Sequence, residues 1–230
     1  MRILLVAADP REFSGMLSLS SDHGPVPLGI DWGRCARLGD HDALLIANGA
    51  GRARAAAAVD AAQEFGPDAV VSTGFCGALD ERLDVADVVL ATSIDDGQRR
   101  FSALPAEGPG ETFIGPIRSI ERVVSTAEEK DLLRNSGACA VEMEAAGVAA
   151  RALELGLPFY CVRAVTDLAE ESLVNDFNGA LRPDGHFDTM SILLGALRDP
   201  AVRLPELLRL RKRSIQAARA LGEFFANCRL

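Results

Sequence analysis

Apolar residues in the first three quarters of the chain gather in short runs, interrupted only by Arg163. Residues 3–7, 43–47, 69–71 and 159–165 are such runs, and each stops at a polar or glycine-rich break: Asp9-Pro10, Asn48-Gly49-Ala50-Gly51, Ser72-Thr73-Gly74 and Thr166-Asp167. Runs that are apolar on both faces suit interior strands covered by helices on each side. Residues 52–65 are alanine-rich and read as a helix that Gly66-Pro67 stops. A second alanine-rich helical stretch runs from near Glu144 to Leu157-Pro158. Strand and helix alternate, which predicts an α/β fold: three α/β/α layers around a central mixed, largely parallel sheet. No internal repeat divides the chain, so residues 1–230 are expected to form one domain.

The remaining segments are less regular. Residues 85–92 read as a further strand, and residues 95–116, rich in Gly and Pro, as a long loop or hairpin. Residues 176–188 hold Asn178-Gly179 and Pro183-Asp184-Gly185 and form a second loop, either a lid or a plain surface connection. Residues 205–225 read as a helix whose apolar stripe is Leu207, Leu208, Ile215, Ala218, Leu221 and Phe225. Its Arg209, Arg211, Lys212 and Arg213 lie most simply on a solvated face.

Charge narrows the range of partners. A formal net charge of −9 opposes a dedicated nucleic-acid binder and leaves small-molecule chemistry open. Cys35, Cys76, Cys139, Cys161 and Cys228 are widely spaced with no Cys-x-x-Cys pair, which fits a reducing compartment and gives no metal signature. No apolar run reaches a membrane span and no signal peptide is evident, so a soluble, cytoplasmic protein is expected. The histidines, His23, His41 and His186, all lie in loop-like surroundings. Carboxylates must therefore carry most of any proton chemistry.

Two acidic positions stand out. Glu144 lies in Val141-Glu142-Met143-Glu144-Ala145 at an expected helix start, and Asp167 ends the apolar run Val162-Arg163-Ala164-Val165-Thr166-Asp167. Each has a plain structural reading: Glu144 complements a helix dipole, and Asp167 caps the next helix. Ligands in open α/β sheets bind beyond the carboxyl ends of the strands, where all four polar breaks fall.

These blocks resemble the nucleoside phosphorylase/nucleosidase superfamily across nearly the whole chain. Val141–Ala145 and the run ending at Asp167 are similar to the ribose-binding and base-protonating segments of 5′-methylthioadenosine/S-adenosylhomocysteine nucleosidases. Asn48-Gly49-Ala50-Gly51-Arg52 and Ser72-Thr73-Gly74-Phe75-Cys76-Gly77 are similar to that family's two cleft loops. The resemblance implies cleavage of an N-glycosidic bond without cofactor or metal. It makes Asp167 the group that protonates the purine N7, Glu144 the acceptor of the ribose hydroxyls, and Glu12 the carboxylate that activates water. Met143 would pack on the sugar. Ser72, Thr73, Gly74, Phe75, Val124, Ser125 and Glu142 complete the implied substrate-binding set, although Glu142 has a simpler structural reading and Arg163 is expected to pair with a nearby carboxylate. A homodimer or larger homo-oligomer is also implied.

Water and phosphate both serve as nucleophiles in this superfamily. Phosphorylases place an arginine two residues after a Gly-Asp-Pro turn, whereas Ala8-Asp9-Pro10-Arg11-Glu12 has Glu12 there. Ser72 stands where a second phosphate-binding arginine is expected, and Phe75 replaces a hydroxyl ligand. Hydrolysis is favoured. Phosphorolysis through Arg11, Arg52 or Arg54, and non-catalytic nucleoside binding, remain alternatives. The C-terminal third resembles the hopanoid-associated branch, which implies adenosylhopane as a candidate substrate. Phe101, Phe177 and Phe187 would then surface an apolar cleft mouth, and the arginine-rich face would offer peripheral contact with a membrane.

Overall fold

The layers follow from the first apolar run. Leu4 and Val6 of β1 (Arg2–Ala7) enter one buried cluster, Ile3 and Leu5 the other, so the strand is covered on both faces. The computed structural model describes the backbone of residues 1–230 and the side chains of all but Asp22 and His23, so His23 as a candidate lies outside the described side chains. The first half holds α1 (Ser14–Leu19), β2 (Ser21–Pro25), β3 (Trp32–Leu38), β4 (His41–Ala47), α2 (Arg52–Ala61), β5 (Ala69–Ala78), β6 (Val88–Asp95), β7 (Arg100–Ser102) and β8 (Phe113–Ser119). After it come α3 (Ala127–Arg134), β9 (Ala140–Glu142), α4 (Ala145–Glu154), β10 (Phe159–Asp167), α5 (Phe177–Ala180), α6 (Thr189–Ala196) and α7 (Pro200–Ala226).

The result is an α/β fold with a mixed central sheet between helices. Ala55, Ala58 and Val59 of α2 and Ala145 and Ala149 of α4 seal one face. Met16 of α1 and Leu221, Phe224 and Phe225 of α7 seal the other. Parallel pairing joins β10, β5, β1 and β4 at the centre. Antiparallel β3 and β2 extend the sheet on one side. On the other side β10 pairs with β6, β6 with β8, β8 with β9, and β9 returns to β5, so these five strands close on themselves.

Closure explains several departures from the sequence pattern. Residues 72–74 do not end a strand: β5 runs on to Ala78 because Ser72 to Gly77 pair with Cys161 to Asp167 of β10. Val141 and Glu142, read as the approach to a helix, belong to β9, and the helix starts at Ala145. Residues 95–116 contain the β6–β7 hairpin and then enter β8. The loop at 176–188 contains α5 and a bridge between Leu181 and Phe187. The last helix begins at Pro200, earlier than the pattern suggested, and continues through Pro205 with the loss of one backbone hydrogen bond. The strands β2 and β3 and the helix α1 had no clear apolar pattern. Among the described residues, no helix is long and apolar enough to cross a membrane.

Helices approach closely where they lack side chains. A Cβ on Gly15 of α1 would collide with the backbone of Ala218 in α7, and one on Gly222 with the backbone of Gly15. The contact brings the C-terminal helix down onto the segment that follows β1. A Gly222→Ala substitution is therefore expected to destabilise the fold by about 1–3 kcal/mol through overpacking. Urea unfolding measures it, and an unchanged midpoint would contradict the packing described.

Candidate active site

Glu12 is positioned by a capping box that the Asp9-Pro10-Arg11-Glu12 sequence encodes. The chain leaves β1, turns at Asp9, and enters a short 3-10 turn in which the Glu12 carboxylate folds back. Its Oε2 accepts hydrogen bonds from the Ala8 and Asp9 amides at 2.9 and 2.8 Å, and Oε1 accepts from the Phe75 amide of β5 at 2.7 Å. Gly74, at φ +126°, leaves room for this approach, because a Cβ there would strike Glu12 Oε1. Burial pushes the Glu12 carboxyl above its ordinary value, against the amide bonds from Asp9 and Phe75 and the charge of Arg163.

Arg163, wholly buried in β10, gathers the other acids. Its Nη2 donates to Glu142 Oε2 at 2.5 Å and to the Ser72 hydroxyl at 2.7 Å, and its Nη1 reaches Glu144 Oε2 at 3.3 Å. Burial works against its charge, but the Glu142, Glu144 and Glu12 carboxylates outweigh that and raise its pKa. Glu142 Oε2 also accepts the Glu144 and Ala145 amides at 2.9 and 2.7 Å, so it caps α4. Glu144 holds the N-cap position of α4 without capping it, and its Oε1 instead accepts from the Gly51 amide at 3.2 Å. Burial, only partly offset by Arg163 and reinforced by Glu142 and Glu12, pushes the Glu144 carboxyl up to about 7.

Asp167 lies four residues further along the same strand and caps no helix. Its Oδ1 accepts from the Thr166 hydroxyl at 3.1 Å and its Oδ2 from the Lys130 ammonium at 2.5 Å. Gly77 faces it across the β5–β10 pair, and a Cβ on Gly77 would lie 2.8 Å from Asp167 Oδ2. The structure thus brings Glu12 and Glu144 together beside Arg163, and sets Asp167 four residues along β10 from that arginine, opposite Gly77.

The expected substrate-binding residues divide. Met143 lines a cleft of about 210 Å³ with Ala50, Gly51, Arg54, Glu121, Leu181 and Pro183. A second hollow of about 270 Å³ lies beside α3, lined by Glu81, Asp131, Arg134, Ala169 and Glu170. Gly74 and Phe75 border Glu12 as described. Ser72, expected to bind substrate, is instead fully buried behind the acids and holds Arg163, and Thr73 is fully buried as well. Glu142 is likewise committed to α4 and Arg163. Val124 packs with Leu79 and Val141, and both backbone polar groups of Ser125 are engaged, by Glu129 and Leu173. Phe101 lies in the core rather than at the cleft mouth. Phe177 and Phe187 do meet edge to face, at 6.2 Å. Sequence reading missed Lys130 and understated Arg163. For Lys130 the available signal was a lone lysine on a polar helix.

A family model described as Phosphorylase superfamily matches residues 2–119 and 112–183. The 5′-methylthioadenosine/S-adenosylhomocysteine nucleosidase of Staphylococcus aureus (strain JH9) is 26% identical over 174 residues, covering 63% of this chain and 76% of that protein. Among solved structures, the corresponding nucleosidase from Neisseria meningitidis, in complex with methylthio-immucillin-A, aligns with a TM-score of 0.71 at 22% identity over 98% of both chains. Futalosine hydrolase of Helicobacter pylori strain 26695 aligns with a TM-score of 0.70 at 18% identity, over 97% of this chain and 96% of that one. At such identities the two structures establish a shared fold.

The raised Glu144 carboxyl has a consequence for stability. Between its unfolded value of 4.5 and about 7, the folded state binds the proton more tightly, so its contribution falls as pH rises through that window. Glu144→Gln removes this dependence. Relative to the parent, the variant should gain on the order of 1–3 kcal/mol between about pH 5 and pH 8. Urea unfolding at both values checks this, and a pH-independent difference would refute it.

Proposed function

The chain belongs to the phosphorylase superfamily, and from that premise we propose that it hydrolyses the N-glycosidic bond of a purine nucleoside, a 5′-substituted adenosine. The observation that carries this reading is Glu12: a buried carboxylate with a raised pKa, held by three backbone amides beside the Arg163-bound Glu144. A carboxylate so placed repels phosphate and accepts a proton from water. In the reaction, the bond between C1′ and the base nitrogen breaks and its electron pair leaves with the base. Asp167 delivers a proton to the base, Glu144 accepts the ribose hydroxyls and steadies the positive sugar, and water adds to C1′ as Glu12 takes its proton.

The arginines support water over phosphate. Arg11 pairs with Asp9, Arg52 with Asp96, and Arg54 with Asp31. Arg163 is fully buried among carboxylates. Each of these four arginines is therefore already paired with a carboxylate of the chain.

The 5′ group is the finer part of the proposal. The cleft beside Met143 is walled by Leu181, Pro183 and Gly185 of the loop that leads into α6. Met143, Leu181 and Pro183 favour an apolar 5′ substituent there. The name of the Staphylococcus aureus relative supports a thioalkyl group, and a longer tail such as that of adenosylhopane extends the same chemistry.

Chromatography of free base from 5′-substituted adenosines, inosine and uridine tests the reading. Adenine release should proceed equally with and without phosphate, and strict phosphate dependence would overturn hydrolysis. Asp167→Asn should slow release by about 10²-fold or more while leaving nucleoside affinity largely intact. Unaltered turnover in that variant would remove Asp167 from the chemistry, and efficient cleavage of methylthioadenosine with none of a long-tailed analogue would exclude the larger substituent.

A further inference from the structure

The helix α3 is packed in an unusual sense. Its one buried residue is Lys130, at 1% exposure, while Leu132 of the same helix is 70% exposed. Removing an ammonium from water costs several kcal/mol, so packing alone does not favour this arrangement. The Lys130 Nζ donates to Asp167 Oδ2 at 2.5 Å and to the Leu168 carbonyl at 2.6 Å. Thr126 caps α3 by accepting from the Glu129 amide, which fixes the turn that carries the lysine.

The residue type is equally telling. Of 24 lysines and arginines in the chain, only Lys130 and Lys212 are lysines. Arginine serves in the other buried acid cluster, at Arg163. A guanidinium holds its proton permanently, whereas an ammonium releases one when its surroundings favour it. Among the described residues, the one buried cation in contact with Asp167 is thus a lysine, the type that can give up a proton.

We propose that Lys130 is a positioning residue that orients Asp167 and supplies the proton Asp167 passes to the departing base. This rests on the nucleosidase reading above. As the C1′–N bond breaks and its electron pair moves onto the base, a proton passes from Asp167 to the base nitrogen and one passes from the Lys130 ammonium to Asp167. Lys130 is left neutral and Asp167 unchanged in charge. Water gives its proton to Glu12 as it bonds to C1′, and exchange with solvent then returns one proton to Lys130 and removes one from Glu12. Other titratable groups near the pair are Arg213 of α7 with its partner Glu171 and the Cys76 thiol of β5, which burial pushes well up, while Glu129 and Asp131, the neighbours of Lys130 on α3, pair instead with Arg122 and Arg134.

The test compares two leaving groups. One substrate is the adenosine derivative that the wild-type chain cleaves; the other is a 4-nitrophenyl β-riboside with the same 5′ group, whose phenolate departs without protonation. In Lys130→Met, kcat for adenine release should fall about 10²-fold or more with KM changed less than about 3-fold, while nitrophenolate release stays within about 3-fold of wild type. In the wild-type protein, adenine release should decline on the alkaline side and nitrophenolate release should not, a measurement that needs no variant to fold. Equal loss of both activities in Lys130→Met, or a shared alkaline decline in wild type, would overturn the role of Lys130 alone. A wild-type chain inactive on both substrates would overturn the nucleosidase reading, and this proposal with it.

Discussion

The site depends on one buried guanidinium. Arg163 stands at 0% exposure in the central strand β10, and its charge is viable only because Glu142, Glu144 and Ser72 surround it. The dependence is mutual. Three buried carboxylates at one sheet edge would repel one another strongly, and the shared cation makes their proximity tolerable. Glu142 ties this cluster to the start of α4, so the acid that neutralises Arg163 also determines where the helix begins. Charge balance and backbone geometry are therefore satisfied by the same atoms.

Around this pair, small residues let polar groups meet. Gly74 admits Glu12 to the amide of Phe75, and Gly77 leaves space for Asp167. Both lie on β5, which pairs with β1 and β9, the strands that lead into Glu12 and Glu144, and with β10, which carries Asp167. A side chain at either glycine would push a carboxylate out of place. The three acids also occupy distinct surroundings. Glu12 is held by neutral amides, Glu144 by a shared arginine, and Asp167 by a lysine and a hydroxyl. In the proposed reaction these surroundings separate a base for water, an acceptor for the sugar hydroxyls and a donor for the leaving base.

Much of this was legible along the chain. Unbroken apolar runs marked β1 and β4, and a run interrupted by Arg163 alone marked β10, because strands covered on both faces are apolar almost throughout. Asp167 was visible as a carboxylate ending such a run, and Glu144 as an acid beside a helix start. Residues 72–74 were misread as a strand end, since Ser, Thr and Gly resemble a turn until β10 and β9 are seen to pair with them. Ser72 was read as facing a ligand and Glu142 as either facing one or serving structure, because a motif names residues and not what already occupies their side of the strand.

The sequence by itself determined the layered α/β fold and the central strands and marked Glu144 and Asp167 beside them, because hydrophobic periodicity and polar breaks are local properties, whereas Glu12 came only from the family resemblance. The tertiary structure alone decided which acids share a cation, which serve as caps, and that a lysine from a polar helix meets Asp167. Those pairings join residues as far apart as Lys130 and Asp167 or Glu12 and Phe75. They arise from closure of the strands into a ring and from burial of the charges between them, and neither leaves a periodic trace in the chain.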